Sequence, residues 1–455
     1  MTRKQYLATA CLGLILLLAG FAAFLPQSHP EAKPNTFNTG DLAWMLSASG
    51  LVLLMTPGLA FFYGGMVSKR NVISTMLQSF IALGVISILW YVVGFSLAFG
   101  DSIGGVIGNP MTFFMFNNVG TAPHPRLASN LPLVLFAAFQ LKFAIITPAL
   151  ISGAFAERIR FWGYLLFMCL FSLCIYCPLA HWTWHPDGFL FKWGVLDFAG
   201  GTVVHISAGF AALAGALALG RRHTHLEGHT HVPPNVPFIL IGMGLLWFGW
   251  FGFNAGSALA ANATAVQAFF TTHMASAAAM LTWMLIEAVR GQRPTAAGAA
   301  IGAVVGLVAI TPAAGYVSYG PALFIGVVSA AISAGAVDLK NRTTLDDTLD
   351  VFPCHGVGGI VGMILTAVFA KEGGLATTGS WTLLLHHLGA LVFISLFTFG
   401  GSYLLYKLTN LLIPIRVNAV HEADGLDLSQ HGETLLPAPV EHQLVPELKF
   451  VVRAS

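Results

Sequence analysis

The sequence alternates long apolar runs with short polar connections along almost its whole length. A helix needs about 20 mostly apolar residues to cross a bilayer. Eleven such runs lie at about 41–66, 73–99, 131–156, 161–181, 198–220, 236–260, 266–289, 297–314, 320–338, 354–370 and 382–412. Only 9% of the 455 residues are charged, whereas soluble domains carry roughly 25%. The pattern predicts an all-α membrane protein, because a helix satisfies its own backbone hydrogen bonds in lipid.

The connections between the runs alternate in charge. Ten basic residues fall in the odd-numbered connections and three in the others. The first group is Lys69, Arg70, Arg158, Arg160, Arg221, Arg222, Arg290, Arg293, Lys340 and Arg342, and the second is Arg126, Lys192 and Lys371. Connections rich in Lys and Arg stay in the cytosol. We therefore expect a multi-pass protein of the cell (inner) membrane, with the mature N-terminus outside and the C-terminus in the cytosol.

Residues 1–35 form a separate N-terminal segment. Two basic residues precede an apolar run from Leu7 to Leu25, as in a secretory signal peptide or an uncleaved membrane helix. The run is long for a signal core, and Ala22-Ala23 is a poor cleavage motif, but a signal peptide is the favoured hypothesis. Both alternatives place Thr36 outside.

The predicted membrane domain, residues 36–413, contains an internal repeat. Ile146-Thr147-Pro148-Ala149 in the third run recurs as Ile310-Thr311-Pro312-Ala313 in the eighth. A histidine flanked by glycines in the fifth run, His205, recurs as His355 in the tenth. Halves of five spans have opposite orientations, as in many transporters. We predict eleven transmembrane helices, arranged as an inverted 5+5 repeat plus a final helix.

The two repeated histidines lie in similar surroundings. Asp197 precedes His205 and Asp350 precedes His355, and an apolar run follows each histidine. An ionisable side chain in a membrane segment is costly and usually faces a pathway or a partner. We expect the fold to bring the two imidazoles together. For His355 to reach the depth of His205, residues 346–353 must dip into the membrane from the cytosol.

Five segments resemble motifs of the ammonium transporter family (Amt/Mep/Rh), in its bacterial Amt type. They are 62–65 (Phe-Tyr-Gly-Gly), 155–161 (Phe-Ala-Glu-Arg-Ile-Arg-Phe), 197–205, 251–257 (Phe-Gly-Phe-Asn-Ala-Gly-Ser) and 350–359. The resemblance implies an eleven-helix bundle that forms a homotrimer with one pore in each subunit. It implies transport of ammonium or ammonia, with methylammonium as an analogue, in nitrogen uptake. It implies no enzyme activity, no cofactor and no nucleic-acid partner.

The resemblance also implies a substrate-binding site at Phe143, Trp184 and Ser257. Aromatic faces attract cations, and a hydroxyl oxygen can accept a hydrogen bond from ammonium. Phe143 and Phe253 would form a stacked gate beneath this site, with Phe139 one helical turn behind. The alternative is that Phe143 and Trp184 are ordinary interfacial aromatic residues.

Beneath the gate, the resemblance assigns His205 and His355 to a pair in the pore. We expect Trp250 and Thr311 to line the same region. A neutral imidazole has one donor and one acceptor nitrogen, so two rings can share a proton along a path. Burial favours the neutral form. The alternative for a single histidine is a hydrogen-bonded core residue.

Two charged residues lie beside this predicted site. Asp197 is a good N-cap for the amides of Ala199 or Gly200, and we expect it to orient the site rather than bind the cation. Lys142 departs from the family pattern, which has a small or neutral residue there. It would repel a cation if it faced the site, and otherwise it would snorkel or pair elsewhere.

Other residues of metal-binding type receive a structural interpretation. His223, His225, His229 and His231 have ligand spacing in one predicted cytosolic loop, but we favour a solvated loop because no helix or strand would preorganise them. Of the five cysteines, four lie in apolar runs and the fifth adjoins His355. We predict neither a disulfide framework nor a metal site.

The predicted cytosolic tail, residues 414–455, contains a segment similar to the family's tail motif. Its candidate regulatory residues are Gly425, Asp427, Ser429, His431, Gly432 and Glu433. The family often has Glu at the position of Gln430. The resemblance implies packing on neighbouring subunits and regulation by a PII-type signalling protein. Residues 434–455 contain scattered prolines and no clear period, which predicts disorder.

Two other functions are compatible with the sequence. A membrane ammonium sensor would use the same fold together with a signalling domain or a dedicated partner, and no such domain follows the tail. A membrane redox or haem enzyme would use His205 and His355 as ligands and would show the absorbance of its cofactor.

Overall fold

The structure, a computed structural model, describes residues 3–228 and 233–435. Twelve longer helices succeed one another along this part of the chain. They are α1 (Arg3–Phe24), α2 (Thr39–Met66), α3 (Val72–Phe99), α4 (Leu133–Phe155), α5 (Phe161–Lys192, with a turn at 185–188), α6 (Gly201–Leu219), α7 (Val236–Gly256), α8 (Ala263–Val289), α9 (Ala296–Ile310), α10 (Tyr319–Asn341), α11 (Phe352–Phe369) and α12 (Thr382–Leu412).

Ten helices of the described chain are long and apolar enough to cross a membrane, namely α2 to α8 and α10 to α12. The remaining predicted span, 297–314, is shorter in the structure. Its helix α9 has 15 residues, and the chain turns at 311–316. Pro312 lies just beyond the end of α9, where its missing amide cannot extend the helix. The count of eleven transmembrane helices therefore stays a prediction.

Two small antiparallel hairpins lie in the connection between α3 and α4. Strand β1 (Ser102–Ile103) pairs with β2 (Ile107–Gly108), and β3 (Pro123–His124) pairs with β4 (Ala128–Pro132). The turn between β1 and β2 contains Gly104, whose positive φ of 62° is readily adopted only without a side chain. The described chain is thus mostly helical, with two short hairpins in this connection.

The two copies of the Ile-Thr-Pro-Ala sequence share one local contact and differ in one respect. The Thr147 hydroxyl donates to the Phe143 carbonyl and the Thr311 hydroxyl donates to the Leu307 carbonyl, each at 2.7 Å. Pro148 lies inside α4, however, whereas Pro312 follows the end of α9. The same four residues therefore continue one helix and end the other.

Helices α2 and α7 pack closely through glycines. A β-carbon at Gly242 would overlap the backbone of Phe62, and one at Gly249 would overlap the side chain of Met55. Small residues allow helix backbones to approach within a membrane, where lipid offers no hydrophobic driving force for association. This contact fixes α7, which carries Trp250 and Phe253, against the first helix of the predicted membrane domain.

The segment that follows α1 is attached to the connection between α3 and α4. The Gln27 side chain donates to the Met115 carbonyl and the Ser28 amide donates to Asn117 Oδ1, each at 2.8 Å. By contrast, α1 leaves large apolar side chains such as Leu17 exposed. The residues after α1 therefore belong to the folded domain, while removal of α1 as a signal peptide stays a prediction.

A buried ionic network, formed by Glu157, Arg158, Arg222 and Asp346, joins three connections. Arg222 bonds to Asp346 at 2.9 Å and to Glu157 at 2.7 Å. Arg158 donates to the Asp346 carbonyl at 2.5 Å. Burial alone raises the pKa of Asp346, but the charge of Arg158 and the hydrogen bonds from Arg222 lower it to about 2. The network thus holds the starts of α5 and α11 beside the end of α6.

Candidate functional site

A cavity of about 140 Å³ lies at one end of the helical bundle. We call it the aromatic cavity, and its lining includes Phe143, Trp184, Ser257, Gln140 and Arg126. The structure thus brings together the three residues that the family resemblance assigns to substrate binding. They come from α4, α5 and the end of α7, which are far apart in the sequence.

Hydrogen bonds to the backbone orient the polar groups of this cavity. Trp184 packs edge-to-face against Phe143, with ring centroids 5.8 Å apart, and its indole N–H donates to the Asp197 carbonyl at 3.2 Å. The Ser257 hydroxyl donates to the Phe253 carbonyl at 2.9 Å. Because its proton is engaged, the Ser257 oxygen retains acceptor capacity only. That suits a ligand that donates hydrogen bonds.

Two phenylalanine rings close the floor of the aromatic cavity. The centroids of Phe143 and Phe253 are 4.2 Å apart, with an interplanar angle of 30°. Phe139 contacts the other side of Phe143 at 5.0 Å. All three side chains are buried. In this structure the rings therefore separate the cavity from the side chains beneath it.

His205 and His355 contact each other below these rings. Their Nδ1 atoms are 3.3 Å apart and their ring centroids 5.4 Å apart. The His205 ring also lies 6.0 Å from Phe253. A hydrogen bond between the two Nδ1 atoms requires one ring to donate and the other to accept. Among the described residues, the buried Nε2 of His205 meets no hydrogen-bonding partner.

The approach of the two histidines depends on a contact between glycines. A β-carbon on Gly209 would overlap the backbone of Gly356, so α6 and α11 cross here with no side chain between them. Both histidines also lie in single π-helical turns, Gly201–Ile206 and Phe352–Val357. Such turns change the direction of neighbouring side chains and are frequent at functional sites.

Trp250 and Thr311 adjoin the histidine pair. The Trp250 ring stacks on His205 with centroids 5.4 Å apart. Its N–H donates to the Thr311 hydroxyl at 2.9 Å, and that hydroxyl donates in turn to Leu307. The chain of hydrogen bonds fixes the indole plane against the imidazole.

Asp197 caps the start of α6. Its carboxylate accepts hydrogen bonds from the amides of Gly200, Gly201 and Thr202 at 2.8, 2.7 and 2.7 Å, and from the Thr202 hydroxyl. The amide of Ala199, one of the two expected partners, is not among these donors. Four donors at the start of α6 thus surround the carboxylate.

The carboxylate that corresponds to Asp197 in the second half is that of Asp347, and not that of Asp350, which also precedes His355. Asp347 accepts from the amides of Val351 and Phe352 at 3.1 and 2.7 Å, at the start of α11. Asp347 lies eight residues before His355, as Asp197 lies eight before His205. Asp350 instead pairs with Lys340 at 2.7 Å. The equal spacing from aspartate to histidine could have identified Asp347 from the sequence.

Lys142, His223 and His225 lie outside the site. Lys142 is half-buried, does not line the aromatic cavity and forms no ion pair among the described residues. His223 and His225 lie in a short helix, His223–Leu226, so the expectation of an irregular loop was wrong there. His229 and His231 are outside the described residues. Each of the five cysteines is free.

The tail motif docks on the start of α3 in the same chain. The Asp427 carboxylate accepts from the amides of Ser74 and Ile73 at 2.7 and 3.1 Å. His431 Nε2 lies 3.2 Å from the Ser74 hydroxyl. Gly425 has a φ of 94° and abuts Arg70, so it has no room for a side chain. The predicted disorder of 434–455 concerns residues that lie, after Leu435, outside the described chain.

The remaining tail residues make local contacts. The Ser429 hydroxyl donates to the Gly425 carbonyl at 2.7 Å, and the Glu433 amide donates to the Asp427 carbonyl at 3.1 Å. Gly432 ends the helical turn with a φ of 70°. The motif therefore forms one compact turn around Asp427.

Among the lining residues that sequence reasoning missed are two polar side chains, Gln140 and Arg126. Gln140 lies three residues before Phe143, so it shares a helix face with Phe143, and this spacing could have identified it. Arg126 lies in the β3–β4 turn, and nothing in its sequence neighbourhood indicates that this turn reaches the cavity.

The fold and the site together define a multi-pass membrane protein in which an aromatic cavity lies above a buried imidazole pair. The model of the Ammonium Transporter Family matches residues 43–435. The chain belongs to this family.

Individual relatives are similar over most of the chain. An ammonium transporter of Aquifex aeolicus is 44% identical over 430 residues, 93% of this chain and 98% of its own length. The crystal structure of Saccharomyces cerevisiae Mep2 matches with a TM-score of 0.80 and 35% identity, over 85% of this chain and 89% of that chain. A structure named Sensor Amt Protein matches with a TM-score of 0.80 and 30% identity, over 86% and 98%. The curated relatives are transport proteins and not enzymes.

Proposed function

We propose that this protein conducts ammonium across the plasma membrane and that the substrate gives up its proton in transit. One observation carries the proposal. The aromatic cavity, the Phe143–Phe253 pair and the His205–His355 pair follow one another in direct contact, with centroid distances of 4.2 Å between the phenylalanines, 6.0 Å from Phe253 to His205 and 5.4 Å between the imidazoles. This order matches the steps that ammonium requires.

Recognition takes place in the aromatic cavity. The faces of Phe143 and Trp184 attract a monovalent cation through their ring quadrupoles. The Ser257 oxygen accepts one of the hydrogen bonds that ammonium donates. A cation without hydrogen-bond donors gains only the attraction to the aromatic rings, so the cavity favours ammonium and methylammonium over potassium.

The phenylalanine pair then separates charged from neutral species. A bare ion loses its hydration on entering an apolar constriction, and this desolvation is very costly. Ammonium can avoid the cost by releasing its proton and crossing as ammonia. Transient movement of the Phe143 and Phe253 rings would let the small neutral molecule pass.

The imidazole pair receives the substrate beneath the gate. His205 and His355 present both donor and acceptor nitrogens, so they can hydrogen-bond to ammonia or relay the proton. Stacking on Trp250 keeps His205 in the plane that faces His355. Asp197 supports this geometry from the start of α6.

The membrane arrangement in this proposal follows the sequence predictions. The aromatic cavity opens to the outside and the ionic network around Arg222 faces the cytosol, in the inner membrane of the cell. Eleven helices would cross the membrane, with α9 as the shortest, and three subunits would assemble with a pore in each. A cleaved signal peptide would end before Gln27, because the segment after α1 is bound to the domain.

Regulation would act through the tail. The Asp427 contacts hold the tail motif against the start of α3, beside the connection that carries Lys69 and Arg70. A PII-type protein bound at the cytosolic face would contact this connection and could alter the packing of the tail.

The alternative function is ammonium sensing with the same fold. The similarity to the structure named Sensor Amt Protein supports sensing as the alternative function. The haem alternative fits the site poorly, because axial ligands lie on opposite faces of a macrocycle and the rings of His205 and His355 are in direct contact.

Flux through reconstituted vesicles tests the proposal. Uptake of labelled methylammonium and membrane current are measured in the same vesicles, with protein-free vesicles as the control. Saturable uptake supports transport, and the ratio of charge to label shows whether the proton crosses as well. Specific binding without uptake would contradict the proposal and favour a sensor.

A further inference from the structure

A basic side chain lines the mouth of the aromatic cavity. Arg126 lies in the turn between β3 and β4 and contributes to the cavity lining together with Phe143 and Trp184. Its side chain is 54% exposed, so it belongs to the rim and not to the floor. A fixed positive charge in this place would repel an approaching cation.

Asp187 lies directly against this charge. One oxygen of its carboxylate is 2.6 Å from Nη1 of Arg126, and the other is 2.9 Å from Nζ of Lys192. In the described structure, one acid therefore pairs with two basic side chains at the rim. The net charge of these three residues is +1 with the carboxylate and +2 without it.

The backbone of a tight turn holds Asp187 in position. Its amide donates to Nδ1 of His185 at 3.0 Å, and the Gly188 amide donates to the His185 carbonyl at 2.8 Å. A β-carbon on Gly188 would overlap the carbonyl oxygens of His181 and Trp182. The turn begins just after Trp184, so it places Asp187 three residues from the ring that lines the cavity.

We propose that Asp187 is a positioning residue that sets the affinity of the aromatic cavity for cations by compensating the charges of Arg126 and Lys192. The proposal rests on the proposed function, since it assumes that a cation enters this cavity. Exposed ion pairs add little to folding stability. The expected effect of Asp187 is therefore on the local potential.

The test is concentration-dependent methylammonium uptake into vesicles at two ionic strengths. For Asp187→Asn at about 0.01 M ionic strength, where screening is weak, we expect KM to rise about twofold to fivefold and maximal uptake to stay unchanged. At about 0.15 M, where the Debye length falls to about 8 Å, the increase in KM should be smaller than at low ionic strength.

Two further variants separate charge from structure. Adding Arg126→Gln to Asp187→Asn should restore the wild-type KM at low ionic strength, because the net charge of the cluster returns to +1. Glu372→Gln is the matched control. It removes one exposed acid from the side of the membrane predicted to be outside, away from the cavity lining, and should leave KM unchanged.

Each outcome decides the proposal. A KM increase that is independent of salt and is not reversed by Arg126→Gln would show a structural role and overturn it, as would an unchanged KM in Asp187→Asn. Absence of uptake by the wild-type protein would instead contradict the proposed function itself.

Discussion

The Nδ1 atoms of His205 and His355 lie 3.3 Å apart because their helices, α6 and α11, touch at a pair of glycines. Gly209 faces Gly356 four residues after His205 and one residue after His355. The imidazole contact is therefore a consequence of backbone packing, and a substitution at either glycine should change the distance between the histidines.

Gly209→Leu should abolish this contact. The added side chain must displace α11, and overpacking of this kind typically costs about 1–3 kcal/mol. We expect a folded protein whose methylammonium uptake falls about tenfold or more, because the imidazoles no longer share a hydrogen bond. Gly244→Leu is the control, since a β-carbon there meets open space. Full uptake by Gly209→Leu would show that the helix crossing does not set the site.

An acid in place of one imidazole should admit potassium. His205→Asp or His355→Glu places a negative charge beneath the gate and lowers the cost of desolvating a cation. Potassium flux and methylammonium uptake are measured in the same vesicles. Replacement of both histidines by alanine, if it left uptake and potassium exclusion unchanged, would refute the proposed role of the pair.

Removing the polar and aromatic groups of the cavity should weaken recognition. Trp184→Leu combined with Ser257→Ala removes the indole face and the acceptor oxygen, so ammonium should compete less well against labelled methylammonium. A loss of about 1 kcal/mol of cation–π attraction corresponds to about a fivefold weaker inhibition constant. Trp193→Leu, at an exposed position, is the control. Unchanged competition in the double variant would exclude this cavity as the recognition site.

Asp346 should make stability depend on acid pH. Its pKa is lowered to about 2 by Arg158 and Arg222 against the opposing effect of burial. Because the pKa of Asp346 is lower in the folded state than its ordinary value near 4, the ionised carboxylate stabilises the folded state at pH values above about 4. This stabilisation is lost as the pH falls through about 2. The shift corresponds to about 2 kcal/mol.

Thermal unfolding of the detergent-solubilised protein tests this expectation between pH 7 and pH 3. Asp346→Asn leaves Arg222 with one charged partner fewer and should lower stability at pH 7 by about 3 kcal/mol. The difference between variant and wild type should shrink towards pH 3. A constant difference over this range would show that the Asp346 charge is not what stabilises the network.

The tail contact should affect activity without being required for folding. Asp427→Asn removes the charge that accepts from the amides of Ile73 and Ser74, and deletion of 424–455 removes the motif entirely. We expect folded trimers with altered uptake or a lost response to a PII-type protein. Asp424→Asn, an exposed neighbour, should behave as the wild type. Normal uptake and response in both tail variants would mean that the tail is not regulatory.

Periodicity and composition predicted the multi-pass helical architecture from sequence. Ten of the eleven apolar runs correspond to helices long enough to span a bilayer, because a segment in lipid must satisfy its own backbone. Local motifs also predicted the Asp197 cap, since capping involves residues only a few positions apart. The resemblance of five segments to the ammonium transporter family supplied the candidate site residues one by one.

The tertiary structure decided how these residues meet. The eight-residue spacing to His355 favours Asp347 as the cap of α11, but only the path of the chain after α10 shows that Asp350 pairs with Lys340 instead. The π-helical turn of His355 contains Gly356, and Gly356 meets Gly209 just beyond the π-helical turn of His205. Arg126 and Asp187 reach the same rim only because a hairpin and a turn fold over the cavity. These contacts join segments that are far apart in the sequence, so side-chain patterns along the chain do not predict them.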